Sequence, residues 1–328
     1  MNWGFKDFGP KYERMAPLKK AALPGDTLKQ QLKDRARDRV HTFLMAEDTI
    51  KCAFINGTRM VKEMRANFRY GFLETLVAGH AYLAGGLLST TLKGQDRLNL
   101  RVDCSGPIKG FTVETNARGE IRGYLKQTPI PLDKPLTDFN LSPFFGSGFL
   151  TITKSLEGMK QPYTGQVMIQ YGSIAKDLAH YYFTSEQTPT VFILSIQFDR
   201  QGEVKGAGGL FIQAMPGASD KTFDELEAII QDFPSPGKLM ADLEDPDMIV
   251  HSIFKDFNPH FLVSERVEFF CPCSEEKIAS YISLLPMDEL RDMAEKGPFP
   301  METRCHNCNT VYQYEKDAVR EMYEKRLN

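Results

Sequence analysis

Residues 269–277 read FFCPCSEEK, and residues 303–310 read TRCHNCNT. Cys271 and Cys273 flank one proline, and Cys305 and Cys308 follow after a gap of 31 residues. Four of the chain's six cysteines therefore sit in two tight pairs near its end. Zinc takes four thiolates in a tetrahedron, and a C-x-x-C knuckle supplies two from one tight turn. A C-x-C does the same when the chain bends so that alternate side chains converge. Pro272 helps by fixing its own φ and holding Cys271 extended. The gap, SEEKIASYISLLPMDELRDMAEK, reads as two short helices split at Pro286, and RCHNCNTVYQYEKD as strand, knuckle and strand. The spacing predicts a small C-terminal zinc-binding domain over 268–328. His306, inside the second pair, is an alternative donor. Four unliganded cysteines, or a zinc ribbon that only folds the tail, are the plainer readings.

Working outward, residues 218–267 carry short helical patterns broken by Pro234, Pro236, Pro246 and Pro259. Thr222 with Glu225 reads as a capping box ahead of Leu226, Ile229 and Ile230. After Pro246 a second stripe runs through Ile249, Val250, Ile253, Phe254 and Phe257. Isolated helices this short are marginal in water, so they need something to pack on. This stretch is expected to be a helical linker. Ile249, Ile253, Phe254 and Phe257 are its candidate latch to the rest of the protein, and its candidate client-binding surface.

Residues 36–217 read as one α+β core domain with antiparallel-rich sheets. TFLMAEDTIKCAFI (42–55) has strand character. Residues 73–92 form a buried helix, packed closely through Gly79, Gly85 and Gly86. Short β-branched runs follow, with hairpin turns at 116–119 and at Asp199–Gly202, and a helix after Ser173. The fold class is thus α+β, a mixed core followed by a helical linker and the metal domain. Cys52 and Cys104 lie in apolar strand contexts and read as buried, inert thiols.

The chain has 328 residues and a net charge of −3, so no global electrostatic case exists for nucleic acid. Residues 269–328 carry eleven acidic against eight basic side chains, the wrong sign for phosphate contacts. Residues 1–40 are locally basic, ten Lys or Arg against five Asp or Glu, and 1–35 read as a solvated extension. No signal peptide and no membrane span is legible, so a reducing, cytoplasmic setting and no membrane partner are expected. There, paired cysteines are more often metal ligands or redox centres than structural disulfides. No Ser-His-Asp order, HExxH or P-loop stands out, and the GAGG at 206–209 lacks a phosphate-binding continuation. An enzyme is not expected. The enzymatic alternative is a thiol-disulfide oxidoreductase using Cys305 and Cys308.

A four-thiolate site is also a latent switch. Thiolates are the reactive form of cysteine, and an oxidant that joins them as disulfides removes the ligands. Structural zinc contributes roughly 10–16 kcal/mol of apparent binding free energy, which is folding free energy for a small domain.

Three further blocks accompany the cysteines: LKGQDRLNLRVDCSGPIKGFTVETNARGEIRGYL (92–125), LTITKSLEGMKQPYTGQVMIQYGSIAKDLAHYYFTSEQTPT (150–190) and GEVKGAGGLFIQAMPGA (202–218). Together they resemble the redox-regulated heat shock protein 33 (33 kDa chaperonin) family over about residues 36–320. The resemblance implies an ATP-independent holdase for unfolded client proteins, inactive with one zinc bound. It implies activation by oxidation coupled to unfolding of the linker and metal domain, with homodimerisation when oxidised. It also implies Cys271, Cys273, Cys305 and Cys308 as ligands, and Cys271–Cys273 and Cys305–Cys308 as the redox-active disulfides.

Overall fold

The structure, a computed structural model, describes residues 37–132 and 138–327, and the expected N-terminal extension 1–35 lies outside them. The chain folds into two compact units. Of the described residues, one unit holds 37–273 together with His306–Asn309, and the other holds Ser274–Cys305 and 310–327.

The larger unit holds two sheets. Strands β1 (Arg39–Met45), β2 (Ile50–Asn56), β8 (Thr190–Phe198), β9 (Val204–Ala214) and β10 (His260–Arg266) form a five-stranded antiparallel sheet in the order β10-β1-β2-β9-β8. Strands β3 (Arg97–Cys104), β4 (Gly110–Asn116), β5 (Glu120–Leu125), β6 (Gly148–Ser155), β7 (Tyr163–Met168) and β11 (Glu268–Phe269) form a six-stranded sheet in the order β11-β5-β4-β3-β6-β7. Here only the short β11–β5 pair is parallel. The alternation that built these strands is visible in β5, where Ile121, Gly123 and Leu125 point inward and Arg122 and Tyr124 outward.

Helix Phe72–Ser89 packs against strands of both sheets and is buried nearly all round. The three glycines read from its sequence are its close contacts. A Cβ on Gly79 would meet Ile196 of β8 at 2.4 Å, on Gly85 Val113 of β4 at 3.0 Å, and on Gly86 Ile55 of β2 at 2.3 Å. His80 on this helix is partly buried, and desolvation pushes its imidazole down to about 4, so it is neutral at pH 7.

Several local expectations are corrected. The strand read over 42–55 is a hairpin, reversing at Ala46, Glu47 and Asp48, all at positive φ. No glycine or asparagine marks this turn, which is why the sequence hid it. Ser173 caps its helix by position only. The buried Asp177 carboxylate accepts instead from the Gln170, Tyr171 and Ser173 amides. The capping box at Thr222 is displaced by three residues: Ser219 is the N-cap and accepts from the Thr222 amide at 3.1 Å. The helical description of 218–267 fails at its end. Residues 260–266 are strand β10, bonded along β1, because HFLVSER follows Pro259 and lacks a helical stripe.

The rest of that segment forms the helices Asp220–Gln231, Pro236–Ala241 and Pro246–Ile253. Their apolar residues join the outer face of the five-stranded sheet. Leu226, Ile249, Val250, Phe254 and Phe257 are buried with Phe43, Met45, Cys52, Phe54 and Ile212, while Ile253 is only partly buried. Phe254 stacks on Phe233 with ring centres 5.9 Å apart.

The smaller unit has its own modest core of Ile282, Leu290, Ala294, Met301, Tyr314 and Val319. Helices Glu275–Ile282 and Met287–Lys296 meet at Pro286 as expected, and β12 (Met301–Arg304) pairs antiparallel with β13 (Val311–Tyr314). The Tyr314 hydroxyl donates to the Glu275 carbonyl at 2.9 Å and ties the hairpin to the first helix.

Candidate metal centre

The first cysteine pair is delivered by the core sheet. Phe269 lies opposite Ile121 in the β11–β5 pair, and the Phe270 amide donates to the Ile121 carbonyl at 3.0 Å. This carries Cys271 alongside Arg122. Ser274, next after Cys273, turns the chain by capping helix Glu275–Ile282, its hydroxyl accepting from the Lys277 amide at 3.3 Å. The second pair sits in the knuckle between β12 and β13. The Cys305 amide donates to the Thr310 carbonyl at 2.9 Å, and Asn309 closes the turn in the left-handed region at φ 59°. Asparagine is among the few residues that adopt that conformation readily.

All four sulfurs, of Cys271, Cys273, Cys305 and Cys308, lie within 4.8 Å of one another. Cys273 Sγ and Cys308 Sγ are 3.3 Å apart. A tetrahedron with metal–sulfur bonds of ~2.3 Å has edges of ~3.8 Å, inside the observed range. Cys308 is buried and the other three are partly so. The donor set fits one soft or borderline metal ion held entirely by thiolate. His306 is not in the donor group. It is exposed, and its ring packs against Tyr124 with centroids 5.6 Å apart.

The guanidinium of Arg122 reaches this centre, with Nη1 lying 3.9 Å from Cys271 Sγ. Glu114, opposite Arg122 in the β4–β5 register, accepts from its Nη2 at 2.6 Å and its Nε at 2.8 Å. The Asn309 side-chain Nδ2 donates to the Asn67 carbonyl at 3.0 Å. None of these partners was legible beforehand. Arg122 and Cys271 are 149 positions apart, and only the outward alternation of β5 hints at a shared face.

The two remaining cysteines stand apart. Cys52 is buried in β2 and burial alone pushes its thiol far up. Cys104 is only half-buried, at the end of β3, a correction to its expected burial. Its thiol is also raised, mainly by desolvation.

Away from the metal centre, His41 of β1 gathers two residues of the 218–267 segment. Its Nδ1 lies 2.8 Å from Asp247 Oδ1, and its Nε2 lies 3.5 Å from Ser264 Oγ. This is a Ser-His-Asp set that chain order did not announce. The Ser264 hydroxyl also accepts from Arg39 Nε at 2.6 Å, so the group ties β10 and the helix Pro246–Ile253 to β1.

No helix among the described residues is long and apolar enough to cross a membrane. The family model described as Hsp33 protein matches residues 38–315. A 33 kDa chaperonin of Desulforamulus reducens is 34% identical over 270 residues, covering 82% of this chain and 91% of the relative. A 33 kDa chaperonin of Aquifex aeolicus is 28% identical over 307 residues, covering 91% and 94%. The fold is similar to the crystal structure of a 33 kDa chaperonin from Thermotoga maritima, with a TM-score of 0.80 and 26% identity. That match covers 89% of this chain and 99% of the other. With the fold, the four-cysteine centre and these matches in agreement, the chain belongs to the Hsp33 protein family.

Proposed function

We propose that this protein is a redox-regulated, ATP-independent holdase that binds unfolding proteins under oxidative stress. The observation that carries the reading is the convergence of four cysteine sulfurs, from two separated pairs, within 4.8 Å. Zinc is the proposed ion, with Cys271, Cys273, Cys305 and Cys308 as its ligands. When bound, it holds the four sulfurs as thiolates and ties the knuckle to the C-x-C segment.

Oxidation acts on the cysteines. One peroxide takes two electrons from a pair of thiols, forming one S–S bond and two waters. Two peroxides therefore convert the set to Cys271–Cys273 and Cys305–Cys308. Sulfurs so joined no longer serve as thiolate ligands. The smaller unit has a core of few large side chains, so loss of the tie unfolds it. The domain limits proposed are 36–217 for the core, 218–267 for the linker and 268–328 for the redox domain. In this reading the linker follows the redox domain. Ile249, Phe254 and Phe257 leave the five-stranded sheet, with Ile253 at their margin, and both surfaces become available to clients. The active form is proposed to be a homodimer in the cytoplasm, with no enzymatic step and no nucleic-acid or membrane partner.

The test pairs two measurements on one sample. Zinc and reactive thiols are quantified before and after peroxide, alongside suppression of light scattering by a thermally unfolding client. The reading requires about one zinc and four thiols lost per chain as near-stoichiometric suppression appears. Suppression by the reduced, zinc-loaded protein, or none after zinc loss, overturns it. Catalytic turnover of a disulfide substrate favours the oxidoreductase instead.

A further inference from the structure

We propose that Arg122, anchored by Glu114, is a positioning residue of the cysteine centre that slows oxidation of Cys271. The inference rests on the reading of the four cysteines as a redox-responsive metal site. It concerns the order and rate at which they react.

Arg122 is a core-sheet residue with no role in the core. It points outward from β5, and its partly buried guanidinium is fixed on one side by a cross-strand ion pair with Glu114. On the other side Nη1 faces Cys271 Sγ at 3.9 Å, within reach of an N–H···S hydrogen bond. The backbone fixes both ends of this contact. β11 pairs with β5, and the Phe270 amide bonds to the Ile121 carbonyl one residue before Arg122. The sheet therefore brings the two residues side by side, and the Glu114 ion pair holds the guanidinium in place.

A cation beside a thiol ordinarily raises reactivity by increasing the thiolate fraction. That route is closed for a metal ligand, because a coordinating thiol is deprotonated outright. What remains is the effect on nucleophilicity. A hydrogen bond to the sulfur draws on the lone pair that attacks peroxide, and thiolate nucleophilicity falls as basicity falls. In the reaction, the sulfur of Cys271 attacks one peroxide oxygen, the O–O bond breaks and hydroxide leaves. Cys273 then displaces the sulfenic hydroxyl to form the S–S bond. Arg122 opposes the first of these steps. It adds to the unfavourable geometry of closing a disulfide across Pro272, so both factors place Cys271–Cys273 after Cys305–Cys308.

The experiment follows the full-length, reduced, zinc-loaded protein through a peroxide time course, quenched by alkylation and read by mass spectrometry at each cysteine. Arg122→Met keeps the length of the side chain and removes the charge. It should speed loss of Cys271 by about three- to tenfold, with Cys305 and Cys308 changed by less than about twofold. Arg122→Lys should return the Cys271 rate toward wild type. Glu114→Gln, which keeps a cross-strand hydrogen-bond partner but loosens the anchor, should fall between. In cobalt-loaded protein the sulfur-to-cobalt charge-transfer bands should shift in Arg122→Met and recover in Arg122→Lys. An unchanged Cys271 rate in Arg122→Met overturns the inference, as does equal acceleration of both pairs, which marks a merely loosened scaffold. A wild-type protein that binds no metal or forms no disulfides overturns the underlying reading, and this inference with it.

Discussion

Phe254 offers the sharpest test of how the linker is held. Its ring is fully buried, stacked on Phe233 and packed in the cluster with Phe43, Phe54 and Ile212. Removing a buried phenylalanine ring typically costs ~3–5 kcal/mol. The other buried anchors of the same helical stretch, Ile249, Val250 and Phe257, are worth roughly 1.5–3 kcal/mol each as an upper estimate. Phe254→Ala therefore removes a large share of what holds the segment down. At 1.4 kcal/mol per tenfold, it should raise the open population by about two to three and a half orders of magnitude. Ile253→Ser is the matched control, because that side chain is only partly buried and should cost well under half as much. Amide exchange by mass spectrometry, on reduced zinc-loaded protein, should show faster exchange across 218–267 in Phe254→Ala and little change in Ile253→Ser. Only the former should suppress client aggregation without oxidant. Linker protection equal to wild type in Phe254→Ala, with no activity until peroxide is added, would refute the reasoning that burial of this ring latches the switch.

Other outcomes follow from the same structure. Cys308→Ser should abolish stoichiometric zinc binding and lower the helical signal of 274–328, seen by metal analysis and far-ultraviolet circular dichroism, while the core stays folded. Under mild peroxide, the mixed population should contain Cys305–Cys308 before Cys271–Cys273; peptide mapping that finds the reverse contradicts the ring-closure argument. Ser219→Ala removes the acceptor for the Thr222 amide and should destabilise the first linker helix by about 1 kcal/mol, read as faster local exchange. Burial pushes the Asp38 carboxyl up to about 7, against the opposing bonds from the helix amides of Met60 and Arg59. The folded state then binds a proton that the unfolded state has released, so stability falls as pH rises from about 4 to 7. Asp38→Asn should flatten that slope in urea titrations across this window, and an unchanged slope would count against the shift.

The sequence was most informative where one residue type carries one physical demand. The two cysteine pairs announced a shared site because thiolate spacing is nearly diagnostic, and the sulfurs do converge. Gly79, Gly85 and Gly86 announced close helix contacts because bulk is excluded there. Legibility failed where the partner is remote or the local signal neutral. The turn after β1 begins with Ala46 and Glu47, left-handed residues that are not turn formers. HFLVSER looked like the tail of a helical linker until β1 supplied its hydrogen bonds. Arg122 and His41 carry no local signal of their partners, and only the folded chain brings them to Cys271 and to Asp247 and Ser264.

β10 has one further consequence. Its side chains are largely exposed, with Phe261, Leu262 and Val263 all open to solvent, so main-chain hydrogen bonds to β1 do much of the holding. Whatever carries 260–266 away leaves β1 with a bare row of amide and carbonyl groups at the margin of a well-ordered sheet. Such a margin is a template for any extended chain that meets it. The opened molecule therefore carries an aggregation hazard of its own, and its lifetime depends on how quickly that row is paired again, whether by its own strand or by another.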